Sequence, residues 1–302
     1  MSSSAYTHQD SSNSKTWLLM LSFVGLVVGI GFVFSQVFNN PVILYGAVAF
    51  SIIMNVGSYW FSDKVAIASS GAQPADEDQY RELHRMVENL SITAGIPKPR
   101  VYIIPDQVPN AFATGRNKKH AAIAVTQGLL QILDRAELEG VIAHEMAHIR
   151  NQDMLVSTMA VVLAGFISLL ADFFLRATLF GGMRGSDDSR GGGLFILIGF
   201  GLAVLAPIFG TLLRLAVSRS REYMADASGA LLTRYPEGLA SALEKIHASS
   251  QRMGPMKKAH SATAHLFIAN PFGARIGKTM SSFFATHPPA EERIQRLRQM
   301  DM

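Results

Sequence analysis

Two uncharged runs near the start of the chain decide most of what it can fold into. Trp17 to Phe38 (WLLMLSFVGLVVGIGFVFSQVF) and Val42 to Ser62 contain no Asp, Glu, Lys or Arg. Roughly twenty apolar residues in a helix cross the hydrocarbon core of a bilayer, where only helices or closed barrels satisfy their own backbone groups. Little more than Asn39-Asn40-Pro41 joins the two runs, which predicts a tight transmembrane hairpin over residues 15–62. A cleaved signal peptide does not fit, because its apolar core would be shorter and no second span would follow at once. Two later stretches, Leu155 to Phe180 and Leu194 to Val217, are also apolar. The third meets Asp172 and Arg176, spaced i,i+4, and the fourth meets Arg214. Residues 155–217 therefore read either as a second transmembrane hairpin or as a buried helical hairpin.

These stretches explain why 49% of the 302 residues are hydrophobic and only 17% charged, a composition too apolar for an ordinary soluble enzyme. There is no cysteine, so disulfides and thiolate ligands are excluded, which fits a reducing compartment. The net charge of +4 is mild and predicts topology signals and contacts with the lipid bilayer; no nucleic-acid partner is expected. Lys64, Arg81, Arg85, Lys98, Arg100, Arg116, Lys118 and Lys119 all fall in the polar segment after the first hairpin, whose own loop has no Lys or Arg. That bias predicts cytoplasmic polar segments and cytoplasmic termini.

Between and after the apolar stretches lie two polar segments, residues 63–154 and 218–302, preceded by a Ser-rich tail (1–14) expected to be disordered. Helical periodicity covers Gln79 to Ala94, and Arg100 to Ile104 and Ala121 to Thr126 read as strands. Asn110 to Gly115 reads as a turn, and Gly128 to Leu133 as a short helix. Asp134 with Glu137 has the form of a capping box opening another helix. Pro236 starts a helix through about His247, residues 249–280 read as a mobile loop around the apolar island His265-Leu266-Phe267-Ile268, and Glu291 to Arg298 closes the chain as a charged helix. The expected fold is mainly α with a small β-sheet, its polar domain split by the second apolar pair.

The chemistry concentrates in the capped helix, within Gly140 to Asp153 (GVIAHEMAHIRNQD). His144 and His148 are i,i+4, so both imidazoles leave one helix face a turn apart, the separation two nitrogen ligands of one metal require. Glu145 lies on the flank of that face, from where its carboxylate reaches a water at the metal without ligating. Ile142, Met146 and Ile149 form the side that would anchor the helix in a core. A catalytic zinc takes three protein ligands. Glu222 is the best third, with Asp226 one turn on, able to accept a ligand histidine's ring N–H. The same two carboxylates read equally as a solvated acidic face beside Arg219 and Arg221.

His144-Glu145-Met146-Ala147-His148 with Asp153, then Arg221-Glu222-Tyr223-Met224-Ala225-Asp226, then Thr286-His287-Pro288-Pro289 with Arg293, resemble the M48 family of zinc metallopeptidases. With four apolar stretches in this order, the resemblance is to its bacterial heat-shock-induced membrane members and covers nearly the whole chain after the tail. It implies a gluzincin-type site with one zinc on His144, His148 and Glu222, and Glu145 as general base and acid. It further implies Asp226 behind a ligand, Asn110 near the substrate, and His287 and Arg293 stabilising the tetrahedral intermediate. The implied substrates are unfolded or damaged membrane proteins, and the implied location is the cytoplasmic face of a bacterial inner membrane. An extended substrate would add as a strand to the edge offered by Ala121 to Thr126. The competing readings are a non-proteolytic membrane chaperone or scaffold with a zinc site, against which a structural site has no use for Glu145, and a transporter, for which the spans carry few ionisable residues.

Overall fold

The structure is a computed structural model that describes residues 5–37, 39–181, 199, 201, 219–260, 263–273 and 288–300. The two uncharged runs form α1 (Ala5–Val37) and α2 (Val42–Ser70), reversed at Asn39, whose φ is +47°. They approach closely enough at Gly31 that a side chain there would collide with the Cβ of Ala47. Only 28% of the apolar window of α1 and 17% of that of α2 is buried within the protein. A core helix of a soluble protein would be mostly covered, so these two helices are candidate membrane spans. α1 starts within the Ser-rich segment, a correction to the expectation of disorder over residues 5–14.

α2 also continues beyond Ser62 into the polar domain, ending at Gly71 in the left-handed conformation that closes a helix. On this extension the buried Asp63 accepts from Arg100 Nη2 at 2.8 Å, tying the second apolar helix to the sheet. That sheet comprises β1 (Gln73–Pro74), β2 (Arg100–Ile104), β3 (Ala111–Thr114) and β4 (Ala122–Thr126), in the order β1-β2-β4-β3. β2 and β4 are parallel, and the outer pairs antiparallel. Two sequence expectations are corrected here. Residues 110–115 hold a strand rather than a turn, and β4 is interior, so the edge beside the site belongs to β3. β3 is buried at all four positions and therefore lacks the polar alternation that marks a strand in sequence.

α3 (Arg81–Ala94), α4 (Gln127–Ile132) and α5 (Arg135–Asn151) complete the first polar segment, with the capping box of Asp134 and Glu137 formed in both directions. α5 lies in the core with Val141, Ile142, Met146 and Ile149 fully buried. It stops at Gln152, φ +58°, and α6 (Met154–Gly181) begins as a separate helix. The first half of α6 packs Met159, Leu163 and Ile167 against Leu19, Phe23 and Val27 of α1. Asp172 and Arg176 pair at 2.8 Å on its exposed side. The fourth apolar stretch lies outside the described residues except for Gly199 and Gly201. The described residues thus hold two helices long and apolar enough to cross a membrane.

α7 (Arg219–Thr233), α8 (Pro236–Arg252) and α9 (Ala290–Arg298) pack back onto the domain. α7 crosses α5 at Gly229, where a Cβ would come within 2.9 Å of the His144 backbone nitrogen. That missing side chain lets two polar helix faces meet at close range. The stretch expected as a mobile loop is corrected in part: Leu266, Phe267 and Ile268 are buried against the sheet.

Candidate active site

Three helices converge at the head of α6. α5 brings His144, Glu145 and His148, α7 brings Glu222 and Asp226, and α9 brings Arg293. The His144 and His148 Nε2 atoms lie 3.2 Å apart. Glu222 Oε1 is 3.5 Å from the His148 nitrogen, and Oε2 is 3.8 Å from that of His144. All three donor groups fall within 4.8 Å of one another. Ligand atoms around a tetrahedral zinc with ~2.0–2.2 Å bonds are separated by about 3.3 Å, so these residues fit the ion without rearrangement.

The acidic pair of α7 is not a solvated face, since Glu222 and Asp226 are both buried. Asp226 Oδ1 accepts from His144 Nδ1 at 2.9 Å, which orients the ring with Nε2 toward His148 and Glu222. Arg293, only 2% exposed, donates twice to Asp226, at 2.8 Å from Nε and 2.6 Å from Nη2. Burial would raise the Asp226 pKa, yet the Arg293 charge and the His144 hydrogen bond hold it down to about 2. On the other histidine, Asp153 Oδ2 stands 3.7 Å from His148 Nδ1, and Arg221 Nη1 lies 3.8 Å from Asp153. Burial would lower the His148 pKa, but Asp153, Glu222 and Glu145 together push it up to about 9. The pocket holds more carboxylate than cation, the electrostatic setting a divalent metal relieves.

Glu145, His148 and Glu222 line a cavity of about 40 Å³, together with Ala113 of β3, His265 and Leu266. Asn110 lies at the head of β3 outside that lining, its amide paired with the backbone of Ala269 at 2.9 and 3.1 Å. His287 lies outside the described residues. The structure therefore brings together His144, Glu145, His148, Glu222, Asp226 and Arg293. The sequence reading missed Arg221 and His265; each is a buried cation-forming residue in a polar stretch, a weak signal that only the fold resolves.

The family model described as peptidase family M48 matches residues 77–301. The chain belongs to peptidase family M48. Its curated relatives include a protein named Protease HtpX homolog from Syntrophobacter fumaroxidans, 47% identical over 290 residues, covering 96% of this chain and 99% of the relative. A protein of the same name from Pyrococcus furiosus is 48% identical over 288 residues, covering 95% and 96%. The crystal structure of S. mikatae Ste24p superposes with a TM-score of 0.51 at 19% identity, covering 94% of this chain and 67% of that one, which shows a shared fold. This M48 chain is thus a metallopeptidase of the HtpX-like kind, and its HtpX relatives together with its two long apolar helices point to a membrane protein.

One consequence of the His148 environment is measurable. His148 must be neutral to ligate, but in the metal-free protein it stays protonated up to about pH 9. Its pKa is raised above the ~6.5 of an unfolded histidine, so its contribution to metal-free stability is complete below that pH and lost as pH rises through 9. Zinc affinity should accordingly climb about tenfold per pH unit from ~7 to 9 and then level off, with close to one proton released per zinc at pH 7.5. Calorimetric titration in buffers of differing ionisation enthalpy measures that proton, and a pH-independent affinity would contradict the assignment.

Proposed function

We propose that this chain is a zinc-dependent endopeptidase that cuts unfolded or damaged membrane proteins at the cytoplasmic surface of a bacterial inner membrane. The observation that carries the reading is the convergence of two imidazole nitrogens and the Glu222 carboxylate beside the buried carboxylate of Glu145. A zinc ion held by His144, His148 and Glu222 would supply the Lewis acidity that acidifies water and polarises the scissile carbonyl. Glu145 accepts the proton of the attacking water and returns it to the departing amine nitrogen. Asp226 fixes the ring of His144, and Arg293 fixes Asp226. His287 donates to the oxyanion as the tetrahedral carbon forms. Arg293 was expected in that same role, but its two bonds to Asp226 support action through His144 instead.

The bilayer as partner is supported by exposed Trp17 on α1 and exposed Trp60 and Phe61 on α2, at the ends of the hairpin nearest the sheet. Arg116 stacks over Trp60 at 4.6 Å and Lys64 over Phe61 at 5.2 Å, the aromatic and cationic mixture of a membrane interface. α6 packs its first half on the hairpin and begins three residues after the end of α5, which supports a site close to that level.

The test uses detergent-solubilised protein and casein as an unfolded substrate. Chelation should abolish cleavage, and added zinc should restore it. Glu222→Gln should weaken zinc binding by more than ~100-fold, beyond the loss expected for a residue one shell further out. Zinc bound normally by Glu222→Gln would remove Glu222 from the ligand set. The choice of damaged proteins as substrates would be abandoned if folded and unfolded forms of one membrane protein were cut at equal rates.

A further inference from the structure

The edge of β3 is already occupied by the chain itself. Asn110 C=O accepts from Thr126 N–H of β4 at 3.0 Å, and peptide groups alternate along an antiparallel strand. The N–H and C=O of Ala111 and Ala113 therefore point away from β4, to the open side. On that side Ile268 N–H donates to Ala111 C=O at 2.9 Å. Phe267 stacks edge-on against Phe112 at 5.1 Å between ring centroids. Asn110 pairs its amide with both backbone groups of Ala269. Phe267, Ile268 and Ala269 thus run antiparallel alongside Phe112, Ala111 and Asn110, held by one backbone bond and the Asn110 amide, while the Ala111 N–H is taken by Asn110 Oδ1 at 3.2 Å. Ala113 and Leu266, the last residue of a 3-10 turn over Ala264–Leu266, both line the cavity beside Glu145 and His148. His265 follows at the cavity wall, its Nε2 2.9 Å from the Ser157 carbonyl of α6.

From this the geometry points to residues 264–269 as a built-in strap that holds the position of a substrate strand and must lift before a peptide reaches Glu145. The inference rests on the endopeptidase reading and adds its regulation and substrate class. The cavity of about 40 Å³ takes about three waters at the ~10–15 Å³ each requires, and no peptide segment. The closed form thus retains the reacting water and excludes the substrate. The strap is short and tethered at its base, with Met256 N–H on Pro271 C=O at 2.8 Å and Lys257 N–H on Asp106 at 2.7 Å. Lifting it breaks the Ile268 bond, the Asn110 pair and the Phe112–Phe267 contact while leaving the tethers in place. What displaces it must offer the same things to β3: an extended backbone for Ala111 and Asn110, and an aromatic or large aliphatic side chain for Phe112. Such segments are buried in folded proteins and exposed in unfolded ones, so the strap selects against folded substrates.

Because the chain has no cysteine, the strap can be locked cleanly. Ala111 and Ile268 belong to the same core cluster and are hydrogen-bonded neighbours, which makes them the pair to cross-link. The full-length double variant Ala111→Cys/Ile268→Cys, loaded with zinc, is assayed on labelled casein when oxidised and again after reduction with a phosphine that does not strip zinc. The oxidised form is expected to cut at less than a tenth of the reduced rate, with equal bound zinc. In parallel, Phe267→Ala loosens the strap and should raise kcat/KM roughly threefold to tenfold by enlarging the open fraction. This second variant decides the matter where the first does not fold. Equal rates before and after reduction, or Phe267→Ala folded with unchanged kcat/KM, would overturn the strap while leaving the peptidase intact. If wild type and the reduced variant both bind zinc and neither cuts casein, the peptidase reading itself falls, and the strap with it.

Discussion

Glu145→Gln is expected to lower proteolysis to about 1% of wild type or less while keeping one zinc per chain. General base and acid catalysis by a positioned carboxylate contributes roughly 10²–10⁴-fold. Glu145 touches both proton transfers, so the loss belongs towards the upper end. The substitution is nearly isosteric at a buried position in the middle of α5, where Val141, Ile142, Met146 and Ile149 supply the packing. Unfolding is therefore not the expected cause of inactivity. Electrostatics sharpens the prediction. Glu145 is one of the charges that raise His148, so neutralising it lowers the His148 pKa and eases proton loss on metal binding. Zinc affinity near pH 7 should be unchanged or slightly higher in Glu145→Gln, opposite to Glu222→Gln. Initial rates on casein and metal content by mass spectrometry, on the same samples, check both halves. A rate above a tenth of wild type with zinc in place would mean that another group takes the water's proton.

The sequence carried the metal site further than it carried the substrate edge, and the reason is distance along the chain. His144, Glu145 and His148 are read from one helical turn, and the capping box that fixes the helix start lies ten residues upstream in the same element. Glu222 and Asp226 share a helix face, but their i,i+4 spacing suits a solvated face as well as a buried one. Only the packing of α7 on α5 at Gly229 decides between them. Arg293 sits in AEERIQRLR, a composition that reads as surface, yet it and Leu297 are the buried positions of α9. An arginine one turn before a buried leucine is a signal available in hindsight, since an apolar residue would serve a simple core. The edge of β3 had no local signature. Its strand is buried on both faces, its sheet neighbour follows it in sequence while its strap comes from residues 264–269, and sheet order does not follow chain order. The two long apolar helices were legible from charge alone, because crossing a bilayer demands nothing more specific than length and apolarity.

Arg293→Met is expected to destabilise the protein by about 3–5 kcal/mol, the cost of stranding one member of a buried ion pair. Methionine replaces the bulk of the side chain, so the loss reports the charge rather than a cavity. Without the guanidinium, the buried Asp226 carboxylate retains only the His144 ring N–H, and its pKa rises from about 2 toward or above that of a free carboxylate. In wild type the depressed pKa adds stability above about pH 4 that is lost as pH falls toward 2. In Arg293→Met that acid-sensitive contribution should shrink or vanish, flattening stability between pH 2 and 5. Asp226→Asn removes the charge that Arg293 neutralises, so the double variant Arg293→Met/Asp226→Asn should be less destabilised than Arg293→Met alone. Kinetics then separates the two roles open to this arginine. If it acts by holding Asp226 and so His144, Asp226→Asn reproduces its loss of zinc affinity, about 10–100-fold, and much of its loss of rate. If it donates directly to the oxyanion, Arg293→Lys with full zinc and normal stability would still lose kcat by ~10²-fold or more, and Asp226→Asn would not reproduce that loss. The two short bonds to Asp226 favour the first outcome.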